Sequence, residues 1–252
     1  MSCPEEELER DLYYVGQPEI LSDEPISKSF RTELLGSPVA VRCDAKTFGV
    51  AGEFWQLNWL ITSSLLKTCG FVSLRGLNVL ELGAGTGALS VAMAKLGAHA
   101  CATDLPELFP LFQENSQANG FQVQTEGAHV SCQNRGRVMF GSLRWGVDTL
   151  PQETFQLILG CELLYWGGWS LFDEDPQPGL IQVLASECAK GSVAILVGCS
   201  REPKREQHFF EQMAAKGVHV RFISPPERTN GDVFVAELSI GKYGTSHCMR
   251  QG

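Results

Sequence analysis

The chain has 252 residues, of which 44% are hydrophobic and 19% are charged, and its formal net charge at pH 7 is −9. This length and composition predict a single domain with one sizeable hydrophobic core. The negative charge argues against a nucleic-acid-binding body, because neutralising phosphates requires a basic face. We therefore expect no nucleic-acid partner.

Nine cysteines are scattered along the chain without a CxxC pair or a Cys/His spacing typical of metal sites. Several, such as Cys101 and Cys199, lie in apolar runs, where a thiol acts as a small hydrophobic group. These features predict a reduced intracellular protein without a metal. The acidic N-terminus lacks the apolar core of a signal peptide, and no apolar run reaches about 18 residues. We expect a monomer in the cytoplasm or nucleus that does not associate with membranes.

The N-terminal part divides into three predicted pieces. Residues 1–28 are polar and contain prolines, which predicts a flexible acidic tail. The segment FRTELLGSPVAVRC predicts two strands that form a hairpin around Gly36 and Ser37. The segment GEFWQLNWLITSSLLKTCGF then has apolar residues at helical spacing up to Gly70, which predicts a helix. Residues 29–70 are thus a small N-terminal hairpin and helix.

Strands and helices alternate through the core, residues 71–241. The predicted strands are NVLELG, AHACATD, GRVMFGSL, FQLILGCEL, SVAILVGCS, VHVRFIS and DVFVAELSI, and the predicted helices span about 86–96, 106–119, 178–190 and 204–216. Such alternation is typical of a parallel sheet with helices on both faces. The loop before the last strand is too short for a crossover helix, so that strand must run antiparallel. The sequence predicts an α/β fold, a Rossmann-like seven-stranded sheet with the last strand antiparallel, followed by a flexible tail at 242–252.

The glycine-rich turn after the first core strand is the main candidate for a ligand site. Gly83 and Gly85 let the backbone turn sharply and approach a ligand, and the next helix presents free N–H groups. With Ala88 they match the dinucleotide pattern GxGxxA, and Asp104 lies where such a site has its ribose-binding acid. An S-adenosylmethionine site fits the same residues, so the segment leaves both cofactors open. Asp104 could also cap the helix that begins at Pro106.

Three features favour S-adenosylmethionine. Glu81 lies near the end of the strand, where a carboxylate can face a cationic cofactor but would repel a pyrophosphate. The antiparallel last strand is the second feature. The third is that no hydride-transfer constellation, such as a YxxxK pair beside a serine, is recognisable. An ordinary ion pair of Glu81 and a tight turn without a ligand are the structural alternatives.

Several motifs in order resemble one family. They are a Trp after GVAGEF, then LRGLNVLELGAGTGALSVAMAKLGAHACATDLPE, ENSQANG, LRWG, FQLILGCELLYW and DVFVAEL, and they cover about residues 30–240. Together they resemble the seven-β-strand, methyltransferase-like protein-lysine methyltransferases, which include the valosin-containing-protein and elongation-factor-1-alpha lysine methyltransferases. The resemblance implies a class I methyltransferase fold, S-adenosyl-L-methionine as cofactor and a protein substrate that presents a lysine.

The resemblance also implies roles for individual residues. Trp55 would line the cofactor pocket, Trp145 would pack against the adenine, and Cys161 would lie near the methionine moiety. The remaining cofactor-binding residues would be Glu81, Gly83, Ala84, Gly85, Asp104 and Leu105. The family's post-strand motif appears as Glu162-Leu-Leu-Tyr165. From it we predict that Glu162 orients the acceptor ammonium and that Tyr165 and Trp166 form the wall of the lysine channel.

Other interpretations of these residues stay open. Trp55 and Trp145 could be core aromatic residues, and Cys161 could fill space. Tyr165, Trp166 and Trp169 could belong to a partner-binding patch.

The sequence also departs from the family. Gln-Leu-Asn follows Trp55 where small residues are usual, Glu replaces Asp at 162, and an acidic insertion, GGWSLFDEDPQPG, follows the last motif. Asp173, Glu174 and Asp175 of the insertion could grip a basic peptide or simply be solvated. Arginine, histidine or a small molecule are the alternative acceptors, and a non-catalytic binding module is the alternative to an enzyme.

Overall fold

The computed structural model describes residues 19–23, 28–122, 136–150, 154–164, 175–225 and 233–241. Within them, a three-stranded antiparallel sheet precedes a seven-stranded sheet. The small sheet consists of β1 (Glu19–Asp23), β2 (Lys28–Leu34) and β3 (Ser37–Cys43). The β2–β3 hairpin confirms the predicted pair of strands, and Gly36 in its turn has a φ of +76°.

The strand β1 is an element that the sequence did not predict. It lies within residues 1–28, where we expected a flexible tail, and pairs antiparallel with β2. A five-residue strand with charged ends has no alternation of apolar residues from which it could be predicted. Whether it forms depends on its pairing partner. The rest of the N-terminal tail and the tail at 242–252 lie outside the described residues.

The helix predicted after the hairpin is present, but it covers only the last part of the predicted segment. The chain instead forms a short helix α1 (Ala45–Phe48), 3-10 turns at Gly49–Gly52 and Gln56–Leu60, and helix α2 (Ser63–Thr68). The break falls at Thr62, whose backbone is extended and whose hydroxyl accepts a hydrogen bond from the N–H of Leu65 at 3.1 Å. This cap starts a new helix. The helical spacing of apolar residues therefore reflects burial of successive short turns.

The seven-stranded sheet confirms the predicted α/β architecture. Its strands are β4 (Asn78–Leu82), β5 (His99–Asp104), β6 (Arg137–Ser142), β7 (Leu157–Cys161), β8 (Val193–Cys199), β9 (His219–Phe222) and β10 (Val233–Ser239). The spatial order is β6-β5-β4-β7-β8-β10-β9. The last strand is antiparallel to both of its neighbours, as the short connection predicted, and the pairings among β4 to β8 are parallel.

Helices cover both faces of this sheet. They are α3 (Ala88–Lys95), α4 (Phe109–Ala118), α5 (Gln177–Ala189) and α6 (Pro203–Ala215). The strand β7 shows the division, since Leu157 and Leu159 pack with α3 and α4, whereas Ile158 packs with α5 and α6. None of the helices in the described ranges is long and apolar enough to cross a bilayer. The carboxyl ends of β4, β5, β7 and β8 share one edge, where open sheets bind ligands.

Candidate active site

The glycine loop after β4 has a backbone shape that requires glycine. Gly83, Gly85 and Gly87 have φ angles of +61°, +51° and +72°, in the left-handed region that residues with a Cβ rarely adopt. A Cβ on Gly85 would lie 2.7 Å from the backbone oxygen of Ala51, and a Cβ on Gly83 would lie 2.7 Å from the side chain of Leu163. The loop is thus closely enclosed by other parts of the chain.

Asp104 at the end of β5 holds this loop. One carboxylate oxygen accepts the N–H of Gly85 at 2.7 Å, and the other accepts the N–H of Leu105 at 2.7 Å. Burial raises the pKa of Asp104, and these two hydrogen bonds oppose the rise. The 3-10 turn Pro106–Leu108 has Leu105 as its N-cap and no side-chain cap, so Asp104 does not serve as the helix cap. The carboxylate of Asp104 has further lone pairs with which it can accept hydrogen bonds from hydroxyl groups.

Glu81 is turned towards helix α3. It is only 3% exposed, and one carboxylate oxygen accepts hydrogen bonds from the N–H of Ser90, at 2.9 Å, and from its hydroxyl. Ser90 lies in the first turn of α3, so the carboxylate satisfies an N–H that has no partner within the helix. Burial raises the pKa of Glu81 to about 7, and the hydrogen bonds from Ser90 oppose this rise. That Glu81 also faces the cofactor stays a prediction.

Three further predicted residues lie beside the loop or in the core next to it. The ring of Trp145 is half-buried and comes within 3.7 Å of the Cβ position built on Gly83. Leu105 is 36% exposed beside Asp104. Cys161 is buried, and burial raises the pKa of its thiol far above the usual range. A thiol that stays protonated agrees with a packing role and not with a nucleophile.

Glu162 lies directly after β7, with a φ of +58°. One of its carboxylate oxygens accepts the N–H of Cys199 at 3.3 Å, and the other forms an ion pair with Arg201. The guanidinium carbon of Arg201 lies 5.9 Å from the ring centroid of Trp55, whose indole N–H donates to the backbone oxygen of Val50 at 3.1 Å. The structure therefore brings Trp55 and Glu162 together through Arg201.

Arg201 was not predicted from the sequence. Its position could have indicated it, since it is a basic residue just after the carboxyl end of β8, next to the strand that precedes Glu162. Tyr165 and Trp166 lie outside the described residues, so their roles stay predictions. No group of His, Cys, Asp and Glu side chains in the described part of the chain could hold a metal ion.

Comparisons with known proteins identify the family to which the chain belongs. A family model described as lysine methyltransferase matches residues 36–216. The Danio rerio protein N-lysine methyltransferase METTL21A is 29% identical over 172 residues, which cover 68% of this chain and 70% of the relative. The Xenopus tropicalis EEF1A lysine methyltransferase 3 is 30% identical over 172 residues, which cover 66% of this chain and 65% of the relative.

A solved structure shows the same fold. RsmC, a T. thermophilus 16S rRNA methyltransferase in complex with AdoMet and guanosine, has a TM-score of 0.57 at 18% identity. The match covers 94% of this chain and 62% of that one, and at this identity it shows the fold alone. The family model, in contrast, covers well over half of the chain and decides between the two cofactors that the glycine pattern left open. The chain belongs to the lysine methyltransferase family, and S-adenosylmethionine is its methyl donor.

Proposed function

We propose that this chain methylates a lysine side chain of a protein substrate at the carboxyl edge of its sheet, between the glycine loop and Glu162. The observation that carries the proposal is the placement of Glu162. Its carboxylate is paired with Arg201, whose guanidinium lies near the half-buried ring of Trp55, and the neighbouring Leu163 lies against Gly83 of the loop.

The residues at the glycine loop fit the cofactor. Gly83 and Gly85 keep the loop backbone free of side chains, because a Cβ there would meet Leu163 or Ala51, and the carboxylate of Asp104 accepts a hydrogen bond from the N–H of Gly85. The residues that would hold the cofactor are Glu81, Gly83, Ala84, Gly85, Asp104, Leu105 and Trp145, with Trp55 lining the pocket and Cys161 near the methionine moiety. When bound, the cofactor supplies an activated methyl group on a sulfonium.

The acceptor lysine must react as a neutral amine, because its lone pair forms the new bond to carbon. A lysine pKa of about 10.4 places the neutral form roughly 4.6 kcal/mol away at pH 7. Apolar and aromatic walls reduce this cost, since desolvation disfavours the ammonium form. A carboxylate has the opposite effect and stabilises the ammonium. We therefore assign Glu162 the task of binding and orienting the acceptor, and not that of a general base.

The identity of the protein substrate is open to experiment. The name of the Xenopus relative makes elongation factor 1A the first candidate acceptor. The net charge of −9 suits a basic partner. Asp175 of the acidic insertion is already paired with Arg205 at 3.1 Å, so this carboxylate is not free to grip a peptide. A monomeric state and a cytoplasmic or nuclear location stay predictions from composition.

The test is methylation with deuterated-methyl S-adenosylmethionine of a cell lysate and, separately, of purified elongation factor 1A. We expect deuterated methyl groups on lysine in peptides analysed by mass spectrometry. Label confined to arginine, histidine or small molecules would contradict the proposal, and absence of cofactor binding in calorimetry would indicate a binding module without turnover.

Two variants test the assignment of the acceptor site. Glu162→Ala and Tyr165→Phe should lower methylation far more than cofactor affinity. Glu211→Ala, on the outer part of α6, is the matched control and should leave both unchanged. Wild-type activity in both Glu162→Ala and Tyr165→Phe would refute the assignment.

A further inference from the structure

We infer that Arg201 is a positioning residue for methyl transfer, which holds the carboxylate of Glu162 towards the acceptor amine and keeps Trp55 in register with it. The inference rests on the proposed function, since it requires an acceptor amine at Glu162. It adds a residue that neither the motifs nor their spacing indicated.

The first argument is that the local backbone does not by itself secure Glu162. Its φ of +58° is unfavourable for a residue with a Cβ, so contacts elsewhere must compensate. The N–H of Cys199 contributes a hydrogen bond of 3.3 Å, which is slightly longer than the usual range for an N–H donor and an oxygen acceptor. The charge-assisted bond from Arg201 is the shorter and stronger of the two. Arg201 therefore does most to fix the direction of the carboxylate.

The second argument concerns burial. The side chain of Glu162 is 4% exposed and that of Arg201 is 29% exposed. A nearly buried carboxylate without a cationic partner would be costly to keep charged. Arg201 is itself held in place, because its backbone N–H donates to the carboxylate of Glu206 at 2.8 Å. The same carboxylate accepts the N–H of Glu202 at 3.0 Å, so the turn between β8 and α6 is well fixed.

The third argument concerns the aromatic ring. The distance of 5.9 Å from the guanidinium to the ring of Trp55 is within the range of a cation–π contact, about 6 Å. Trp55 is tied by its indole N–H to Val50, and the adjacent Ala51 packs against Gly85 of the cofactor loop. A continuous set of contacts thus runs from the acceptor carboxylate through Arg201 to the cofactor loop. Only a planar guanidinium can lie over a ring while it donates to a carboxylate in this way, so lysine should be an incomplete substitute.

The experiment compares Arg201→Gln, Arg201→Lys and the control Arg205→Gln, in which a neighbouring arginine loses its pairing with Asp175. The acceptor is the protein purified from the lysate as the one that the wild type labels on lysine. Initial rates with labelled S-adenosylmethionine give kcat and KM, titration with S-adenosylhomocysteine gives the Kd of the cofactor site, and thermal unfolding gives Tm.

Arg201→Gln should lower kcat by about ten- to a hundredfold, because a misplaced orienting group costs rate, whereas most of the binding of a protein acceptor comes from its contacts outside the reacting side chain. The acceptor KM and the cofactor Kd should change by less than about threefold. Arg201→Lys should recover part of kcat, since it keeps the charge. Arg205→Gln should behave as the wild type. If Arg201→Gln does not fold, Arg201→Lys alone decides, and a kcat reduced about three- to tenfold at unchanged KM supports the inference.

Two results overturn the inference alone. One is a wild-type kcat in Arg201→Gln, or in Arg201→Lys if only that variant folds. The other is a fall in kcat that is accompanied by a lower Tm and a weaker cofactor affinity and that Arg201→Lys does not partly restore. That result would make Arg201 a structural support. If the wild type labels no lysine at all, the proposed function fails and the inference fails with it.

Discussion

The buried carboxylate of Glu81 makes the stability of the cofactor-free protein depend on pH. Burial raises its pKa from an ordinary value of 4.5 to about 7, so the folded protein binds this proton more tightly than the unfolded chain. The resulting stability is fully present below pH 4.5 and is lost as the pH rises through about 7. At about 1.4 kcal/mol per pKa unit, the loss amounts to about 3 kcal/mol.

Glu81→Gln tests this reasoning. Glutamine cannot ionise, and its side-chain oxygen can still accept the hydrogen bonds from Ser90. Urea unfolding in steps from about pH 4 to pH 8 should therefore show the wild type losing about 3 kcal/mol relative to the variant. Asp104, whose negative charge contributes to the raised pKa of Glu81, is present in both proteins, so its own titration largely cancels in the difference.

Ser90→Ala is the companion variant. The hydrogen bonds from Ser90 lower the pKa of Glu81, so loss of the hydroxyl should move the fall in stability to higher pH. Parallel stability curves for the wild type and Glu81→Gln over the whole pH range would refute the assignment of a strongly raised pKa to Glu81.

Three further outcomes are expected. Gly85→Ala should destabilise the protein by about 2 kcal/mol and weaken cofactor binding at least about tenfold in calorimetry, because its φ is +51° and its Cβ would meet Ala51. Gly36→Ala, at a φ of +76° with open space around it, should cost only about 1 kcal/mol and leave cofactor affinity unchanged; equal effects of the two changes would contradict the close approach at Gly85. Asp104→Asn leaves one of two N–H donors without its acceptor, so urea unfolding should show a loss of about 1–3 kcal/mol together with weaker cofactor binding, and an unchanged Kd would argue against a cofactor role. Thr62→Ala should lower the free energy of unfolding by about 1 kcal/mol through loss of the α2 cap and leave cofactor affinity unchanged; a change in that affinity would contradict a purely local role of the cap.

The core of the fold was predictable because its signals are local. Strands such as β7 and β8 are buried on both faces and appear as unbroken apolar runs between glycines and polar turns. The reversal of β10 followed from the length of one loop. Its position between β8 and β9 did not, because strand order depends on pairings between distant segments.

The errors in the N-terminal part have the same origin. The strand β1 forms because it can pair with the edge of β2, and the residues Glu19–Asp23 themselves do not indicate this pairing. The segment before α2 has helical spacing of apolar residues, but the cap at Thr62 and the packing of Gly52 against Asp44 divide it into short turns. The spacing of apolar residues predicts which residues are buried, but it does not predict whether the helix is continuous.

For the site, the sequence by itself determined the glycine turn and the acid at the end of β5, because each occupies a defined position relative to a strand end, whereas the acid after β7 was indicated by the resemblance to the family's post-strand motif. The tertiary structure decided what these acids contact. Glu81 meets Ser90 across the start of α3, and Glu162 meets Arg201, which lies 39 positions further along the chain. The pair of Glu162 and Arg201 meets only when β7 and β8 are aligned side by side, so the pairing of strands, and not any local pattern, determines that these two charges face each other.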